Sequence, residues 1–148
     1  MRAAIHTTQL ITGKHYVKHA RKLLDNAERS VLVAVFDWRW YEHDPASPMQ
    51  LLNQSLLHAS RRGCAVRAFT SSPKIAKLLV SLGIKARAHK HRTLFHPKLL
   101  VIDGKHVLIG SHNWSNSAME RNIEASAHIQ CEHLANQCEL YFETIWQS

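Results

Sequence analysis

The chain has 148 residues, of which 45% are hydrophobic and 20% are charged. This composition excludes a disordered chain and is typical of one globular domain, because enough apolar side chains are present to build a core. The 19 lysines and arginines exceed the 11 acidic residues, which gives a net charge of +8 with neutral histidines. Such a surface attracts polyanions, although excess charge can also serve solubility alone.

The three cysteines, Cys64, Cys131 and Cys138, are too few for a disulfide scaffold, and this favours a reducing compartment. Cys131, His133 and Cys138 lie close together, but they lack a fourth ligand and a paired spacing. They are therefore interpreted as thiols in or beside a helix rather than as a zinc site. Since neither a signal peptide nor a membrane-spanning segment is visible, we expect a cytoplasmic protein without stable membrane insertion.

The first part of the chain alternates between predicted helices and predicted strands. Residues 13–27 carry apolar side chains at helical spacing, with lysines and arginines on the remaining face. The strand predicted over residues 30–38 contains a continuous apolar run, as expected where both faces of a sheet are covered. The alternation continues with a helix over residues 48–62, a strand over 65–70, a helix over 72–82 and a strand over 84–88. This rhythm predicts a mostly parallel sheet with covering helices.

The pattern changes in the second part of the chain. Residues 98–102 and 106–109 are apolar runs separated by Asp103-Gly104-Lys105, which predicts an antiparallel hairpin. A strand over residues 123–129 and a closing helix over 132–146 follow. The candidate core residues of that helix are Leu134, Leu140, Tyr141 and Ile145. The expected fold is α/β, with a mixed, mostly parallel central sheet, helices on both faces, and a single domain over residues 1–148.

A series of polar residues interrupts the apolar strands of this second part. Its members are His96, Lys98, Asp103, Ser111, Asn113 and Glu124. Polar side chains of this kind are expected at strand ends, where ligands bind. The series contains a candidate nucleophile, a carboxylate to orient it, and cationic and neutral donors for phosphate oxygens. Those are groups that cleavage of a phosphodiester requires.

The spacing His96-x-Lys98-x4-Asp103-x6-Gly110-Ser111-x-Asn113, with Asn122-Ile123-Glu124 downstream, resembles the HKD signature of the phospholipase D superfamily. The matched region covers residues 95–124, and the order of elements around it resembles that of the family's short, single-motif endonucleases of bacterial type. The resemblance implies a phospholipase D-like nuclease domain. It further implies a metal-independent phosphodiesterase that forms a phosphohistidine intermediate and needs no cofactor.

Each matched residue has an expected role. His96 is the expected nucleophile, and Glu124 is the candidate carboxylate that holds the other imidazole nitrogen. Lys98 is expected to place positive charge at the nonbridging phosphate oxygens, and Asn113 and Ser111 to act as neutral donors.

Asp103 completes the candidate catalytic set, but the resemblance implies a more remote position in which it stabilises the strand and the turn. His106 and His112 lie close to the motif in sequence, yet the matched pattern gives them no role. They are interpreted as solvated or structural residues.

A single motif supplies one such histidine, whereas the two-step reaction needs a nucleophile and a separate acid. In a two-fold dimer the same patch meets itself, so that two copies of His96 would share one site. We therefore expect an obligatory homodimer.

Four further residues are candidates for substrate binding. Lys90 and Arg92 belong to a basic run just before His96 and could hold flanking phosphates. Arg39 could meet a phosphate, and Trp40 could stack on an unpaired base, although the aromatic residues Trp38, Trp40 and Tyr41 could equally finish the core or a dimer contact. Trp114 is expected to pack rather than to bind substrate.

The motif indicates a phosphodiester substrate but does not determine which two alcohols the phosphate joins. The charge and the basic run favour nucleic acid, DNA and possibly RNA. The alternatives are a hydrolase of an anionic, cardiolipin-like phospholipid and a non-catalytic scaffold that binds nucleic acid.

Overall fold

The computed structural model describes residues 6–148, which form one seven-stranded sheet covered by five helices. The strands are β1 (Thr7–Thr12), β2 (Ser30–Val35), β3 (Ala65–Thr70), β4 (Lys85–Ala88), β5 (Lys98–Ile102), β6 (His106–Gly110) and β7 (Ala125–Gln130). The helices are α1 (His15–Asp25), α2 (Pro48–Arg61), α3 (Pro73–Ser81), α4 (Asn116–Glu120) and α5 (Glu132–Gln147). None of these helices is both long and apolar enough to cross a membrane.

The sheet is mixed, as predicted, but it is not mostly parallel. Its strand order is β1-β7-β6-β5-β2-β3-β4. The pairs β2–β3 and β3–β4 are parallel, whereas β2–β5, β5–β6, β6–β7 and β1–β7 are antiparallel. The predicted share of parallel strand pairs was wrong because no helix connects β4 to β5. Without a crossover helix the chain enters β5 at the end where it left β4, so β5 runs antiparallel to β2.

Both faces of the sheet are buried, which confirms the interpretation of the apolar run in β2. Val31 and Val33 contribute to the core that lies under α1, α2 and α3. Leu32 and Ala34 point to the opposite face and contribute to a second core under α5. Successive residues of a strand point to opposite faces, so only a continuous apolar run can fill both cores.

The predicted face of α5 was partly wrong. Its buried residues are Ala135, Cys138, Phe142 and Trp146. Leu134 and Ile145 are only partly buried against this core. Leu140 and Tyr141 are 66% and 48% exposed. The reason is that the helix carries apolar residues on two faces, and its smaller residues, Ala135 and Cys138, allow the closer approach to the sheet.

Two elements were not predicted. Strand β1 lies at the edge of the sheet and buries only Ile11, so it lacks the apolar pattern of a central strand. Helix α4 has five residues, too few for a periodic signal. Strand pairing brings the last residues of β1, β2, β3, β4 and β6 and the first residues of β5 and β7 to one end of the sheet. We call this the site end.

Candidate active site

His96 and Lys98 lie at the site end, where the chain enters β5. Phe95 is buried and its ring lies 5.0 Å from that of Phe69, which anchors the chain just before His96. Lys98 Nζ lies 2.9 Å from both ring nitrogens of His96 and donates to its carbonyl oxygen at 3.0 Å. The Phe36 ring packs 5.2 Å from the imidazole. The expected nucleophile and the expected cation are therefore in contact.

The charge of Lys98 is incompletely hydrated. Burial lowers the pKa of its ammonium group, and the nearby Glu124 carboxylate opposes this effect only in part. A poorly hydrated cation interacts more strongly with an arriving anion than a fully solvated one does. Lys98 is thus suited to hold a phosphate oxygen.

Glu124 does not make its predicted contact. Among residues 6–148, its side-chain hydrogen bonds come from Ser111 Oγ at 2.7 Å and from Asn122 Nδ2 at 3.2 Å, and none joins it to His96. Ser111 also accepts a hydrogen bond from the backbone N–H of Ala125 at 3.0 Å. The Ser111 hydroxyl therefore donates to Glu124 and positions its carboxylate, and its role as a donor to phosphate stays a prediction. The short spacing between Asn122 and Glu124 could have indicated the Asn122 contact.

Asn113 is held in the orientation that its predicted role requires. Its Oδ1 accepts a hydrogen bond from the backbone N–H of Asp37 at 3.3 Å, which leaves the amide NH₂ group as the donor. Asp37 Oδ1 in turn lies 2.7 Å from Arg39 Nε. Sequence reasoning missed Asp37, although its position directly after a buried strand marks it as a site-end residue. Arg39 thus reaches the site through Asp37.

Gly110 allows β6 and β7 to approach closely at the site end. A Cβ atom at this position would lie 2.4 Å from the Cα of Ser126 and 2.5 Å from the carbonyl oxygen of Ala125. Any side chain there would push the two strands apart. The missing side chain thereby sets the separation of Ser111, which follows β6, from Glu124, which precedes β7.

Asp103 lies at the opposite end of β5, about 16 Å from Lys98 along the strand. Its side chain is 7% exposed and accepts hydrogen bonds from the backbone N–H groups of Glu28, Arg29 and Ser30. Burial raises the pKa of this carboxyl group, but the three backbone donors and the charge of Arg29 together more than offset that effect and leave the pKa below its usual value. We assign Asp103 to the fold, as the resemblance implies, and not to the catalytic set.

The predicted binding residues divide into two groups. Lys90 and Arg92 are exposed in the connection between β4 and β5, at the site end. This connection is fixed by hydrogen bonds from the His89 backbone N–H to Thr70 O and between the His89 ring and Thr93 O. Both cations are accessible to a substrate.

Trp40 offers only part of its surface to solvent. It is partly buried against the larger core, beside the fully buried Trp38. Trp114 is also fully buried, and its indole N–H donates to the Tyr16 hydroxyl. Trp114 packs as predicted, whereas the contacts of Trp40 favour a core role over base stacking.

The histidines near the motif have structural contacts. His112 is fully buried, with one ring nitrogen 2.7 Å from Ser126 Oγ and the other 2.9 Å from Gly13 O. His106 belongs to a row in which His128 lies within hydrogen-bonding distance of both His19 and His106. Burial lowers the pKa of each of these four imidazoles. The row was not visible in the sequence because its members are distant along the chain.

A cleft of about 410 Å³ adjoins His96 and Lys98 on the α5 side of the sheet. Leu99, Ile109 and Tyr141 give it an apolar wall. The site therefore has a charged centre with an apolar surface beside it.

Comparison with known proteins places these features in a family. A family model described as cardiolipin synthase, PLD-like domain, matches residues 20–146. The human 5'-3' exonuclease PLD4 is 31% identical over 142 residues, which cover 84% of this chain but 28% of the exonuclease. The mitochondrial cardiolipin hydrolase of Xenopus tropicalis is 30% identical over 131 residues, with 84% of this chain and 58% of the hydrolase covered. The chain thus spans only part of the length of either relative.

Solved structures share the fold. The phospholipase D family member Nuc from Salmonella typhimurium has a TM-score of 0.83 at 18% identity, over 97% of this chain and 95% of Nuc. NucT from Helicobacter pylori has a TM-score of 0.76 at 17% identity, over 97% and 98% of the two chains. The sheet, the motif and the matching family model together show that this chain belongs to the phospholipase D superfamily.

Proposed function

We propose that the protein is a metal-independent phosphodiesterase that cleaves nucleic acid through a covalent intermediate on His96. The observation that carries this proposal is the contact of Lys98 with the His96 imidazole at the exposed end of the sheet. Asn113 adds a neutral donor from the segment that follows β6, and Lys90 and Arg92 add positive charge for flanking phosphates. Lysine and amide donors would supply the charge stabilisation for which many nucleases use a divalent metal.

The reaction would proceed in two balanced steps. In the first, a ring nitrogen of His96 forms a bond to phosphorus, the bond from phosphorus to the leaving alcohol oxygen breaks, and that oxygen takes a proton from an acid. In the second, water loses a proton to the same group and attacks phosphorus, which breaks the bond to nitrogen. Lys98 and Asn113 would stabilise the oxygens that carry charge in both steps.

The acid would come from a second copy of the chain. One chain brings a single His96 to the site end, and a two-fold dimer would place the second His96 opposite the first. The exposed apolar residues Ile109 and Tyr141 beside the site supply surface of the type that dimers bury. Light scattering should give twice the chain mass, and specific activity should fall on dilution. An active monomer would contradict this arrangement.

The test is cleavage of labelled single- and double-stranded DNA and RNA in excess EDTA. The protein should cleave at least one polymer, and His96→Ala should lose that activity while its thermal unfolding is unchanged. His133→Ala is the matched control, because His133 is exposed on the first turn of α5, away from the site end. EDTA-sensitive cleavage, or full activity of His96→Ala, would refute the mechanism.

The alternative substrate is an anionic phospholipid. The apolar wall of Leu99, Ile109 and Tyr141 favours it, since an acyl chain could lie there while Lys98 holds the headgroup phosphate. The relative from Xenopus tropicalis is a cardiolipin hydrolase by name. Hydrolysis of cardiolipin vesicles without cleavage of any polymer would select this alternative. Binding of polymers without turnover of either class would select a non-catalytic scaffold.

A further inference from the structure

Helix α1 begins at the site end and runs away from it. The backbone N–H of Gly13, just before the helix, donates to the carbonyl oxygen of Glu124 at 3.0 Å. The helix ends at Asp25, close to residues 28–30, which bind Asp103 at the opposite end of β5. A ligand on this helix could therefore extend continuously from the active site.

The outer surface of α1 carries a row of exposed lysines, Lys14, Lys18 and Lys22, which we call the lysine row. Their spacing of four residues places them on one stripe of the helix, about 12 Å from first to last. Clefts of about 420 and 610 Å³ lie on the two sides of this row, against β1 and α2. His15 and His19 line the first cleft, and Arg21 lines the second.

Within residues 6–148, no carboxylate forms a salt bridge with the lysine row. The two salt bridges formed within residues 6–148 join Arg39 to Asp37 and Arg67 to Glu143, both outside α1. Between Lys14 and Lys22 the sequence contains no acidic residue, and Asp25 stands alone near the end of the helix. A surface helix that served solubility alone would more often alternate the two signs of charge.

The row is also unfavourable for the helix itself. Like charges four residues apart repel each other. Lys14 and Lys18 lie at the start of α1, where the helix dipole disfavours cations and where no acidic residue is present. A bound polyanion would relieve both effects.

We propose that the lysine row binds the sugar–phosphate backbone of a nucleic acid strand whose scissile phosphate lies at His96. This inference rests on the proposed function and adds a second binding surface to it. A row of about 12 Å matches three or four phosphates of one strand at the duplex rise of about 3.4 Å, and fewer phosphates of an extended single strand. Phosphates along a strand suit the row better than a membrane does, because none of the exposed large apolar side chains within residues 6–148 lies on α1, and Leu10 of β1 is the one that lines a flanking cleft.

The experiment measures binding, so that it does not depend on turnover. The triple variant Lys14→Gln/Lys18→Gln/Lys22→Gln is made in the His96→Ala background, and fluorescence anisotropy gives its affinity for single-stranded oligonucleotides of about 4 to 20 nucleotides. The matched control is Lys77→Gln/Lys85→Gln/Lys105→Gln, which removes the same charge from exposed positions outside α1. Circular dichroism verifies that both variants fold.

The lysine-row variant should bind long oligonucleotides tenfold or more weakly at low salt, with a much smaller loss for the shortest ones. The slope of log K against log salt concentration should become less steep by about 2, since each of the three lost phosphate contacts contributes about 0.7. The control should change affinity less than about threefold. Equal losses in the two variants, or equal losses at all lengths, would overturn the inference.

The outcomes also separate this inference from the proposed function. Length-dependent binding that requires the lysine row, without cleavage of any polymer by the unaltered protein, would support the row and refute the nuclease. Cleavage with unchanged binding by the lysine-row variant would refute the row and keep the nuclease. Loss of binding to anionic vesicles, with no change for oligonucleotides, would overturn the row as a nucleic acid site.

Discussion

The two ends of β5 contain the two halves of one sequence motif, and they are built in opposite ways. At the first end, Lys98 meets the exposed His96 imidazole, and its ammonium group is incompletely hydrated. At the other end, the buried Asp103 carboxylate is satisfied by three backbone N–H groups. Proximity in sequence therefore does not imply a shared role: one half of the motif lies at the proposed active site, and the other half stabilises the fold.

The largest expected effect is a loss of activity on substitution at the His96 end of β5, with no such loss at the Asp103 end. Lys98→Met should lower kcat by about 10² to 10³, because it removes the cation that faces the phosphate oxygens. Thermal stability should change little, since the substitution removes a partly buried charge and keeps the aliphatic stem. Steady-state kinetics and thermal unfolding measure both quantities. Lys105→Met, on the hairpin at the other end of the strand, is the control, and an equal loss of kcat there would contradict the comparison.

At Asp103 we expect a loss of stability with little change in activity. Asp103→Ala leaves three backbone N–H groups without their acceptor and should reduce the free energy of unfolding by about 2–4 kcal/mol. Asp103→Asn keeps an acceptor oxygen and should lose less. Urea unfolding measures the difference, and kcat of the folded fraction should stay within about twofold. A large loss of kcat in the stable Asn variant would return Asp103 to the catalytic set.

The pH dependence at Asp103 follows from the direction of its shift. Its pKa is lower in the folded chain than the usual value of 3.8. The stability that it contributes is therefore present above that value and is lost as the pH falls through the folded pKa. Asp103→Asn should flatten this acid limb of the stability curve.

The histidines allow the same comparison between site and fold within one residue type. His96 lies at the proposed active site, whereas His128 makes structural contacts. Burial, aided by His19 and His106, lowers the pKa of His128 from 6.5 to about 4. The unfolded chain then binds the proton first as the pH falls, so stability should decrease from about pH 6.5 to about pH 4. Since His128 is partly exposed, we expect a contribution of about 1–2 kcal/mol.

The measurement is urea unfolding between about pH 7.5 and 4.5 for His128→Gln and the unaltered protein. The variant should show a shallower loss of stability on acidification. His133→Gln, at an exposed position, should leave the slope unchanged. If stability fell equally steeply with pH in all three proteins, His128 would not be the source of the pH dependence.

The smallest expected effect concerns Arg39, at the margin of the site. In its ion pair with Asp37 the Arg39 side chain is 63% exposed, so Arg39→Gln should change stability by less than about 1 kcal/mol. KM for a polyanionic substrate should rise about two- to fivefold at low salt and recover at high salt. A loss of kcat that salt does not affect would show that Arg39 acts through Asp37 on Asn113.

Much of the fold could be predicted because it is local. The strands over residues 65–70 and 98–102 were predicted at their exact bounds, since apolar runs end there at turn residues. The buried face of α5 could not be predicted, because Tyr141 and Phe142 are adjacent and only the position of the sheet decides which one is buried. Strand β1 was missed for a related reason, as an edge strand can be polar on both faces.

The candidate site shows the same limit. His96 and Lys98 are two residues apart on a strand entrance, so their contact follows from the sequence. The partners of Glu124 depend on how closely β6 and β7 approach, which spacing along the chain does not encode. The lysine row, by contrast, is local, and only its position relative to the site required the structure.

Gly110 has a consequence for anyone who redesigns this protein. Because two backbones meet where its side chain would be, the position acts as a fixed spacer that no neighbouring rotamer can relieve. Libraries that vary the site should hold it constant and place their diversity at the exposed Lys90 and Arg92, where new side chains can change substrate selectivity without moving the frame that carries Ser111 and Glu124.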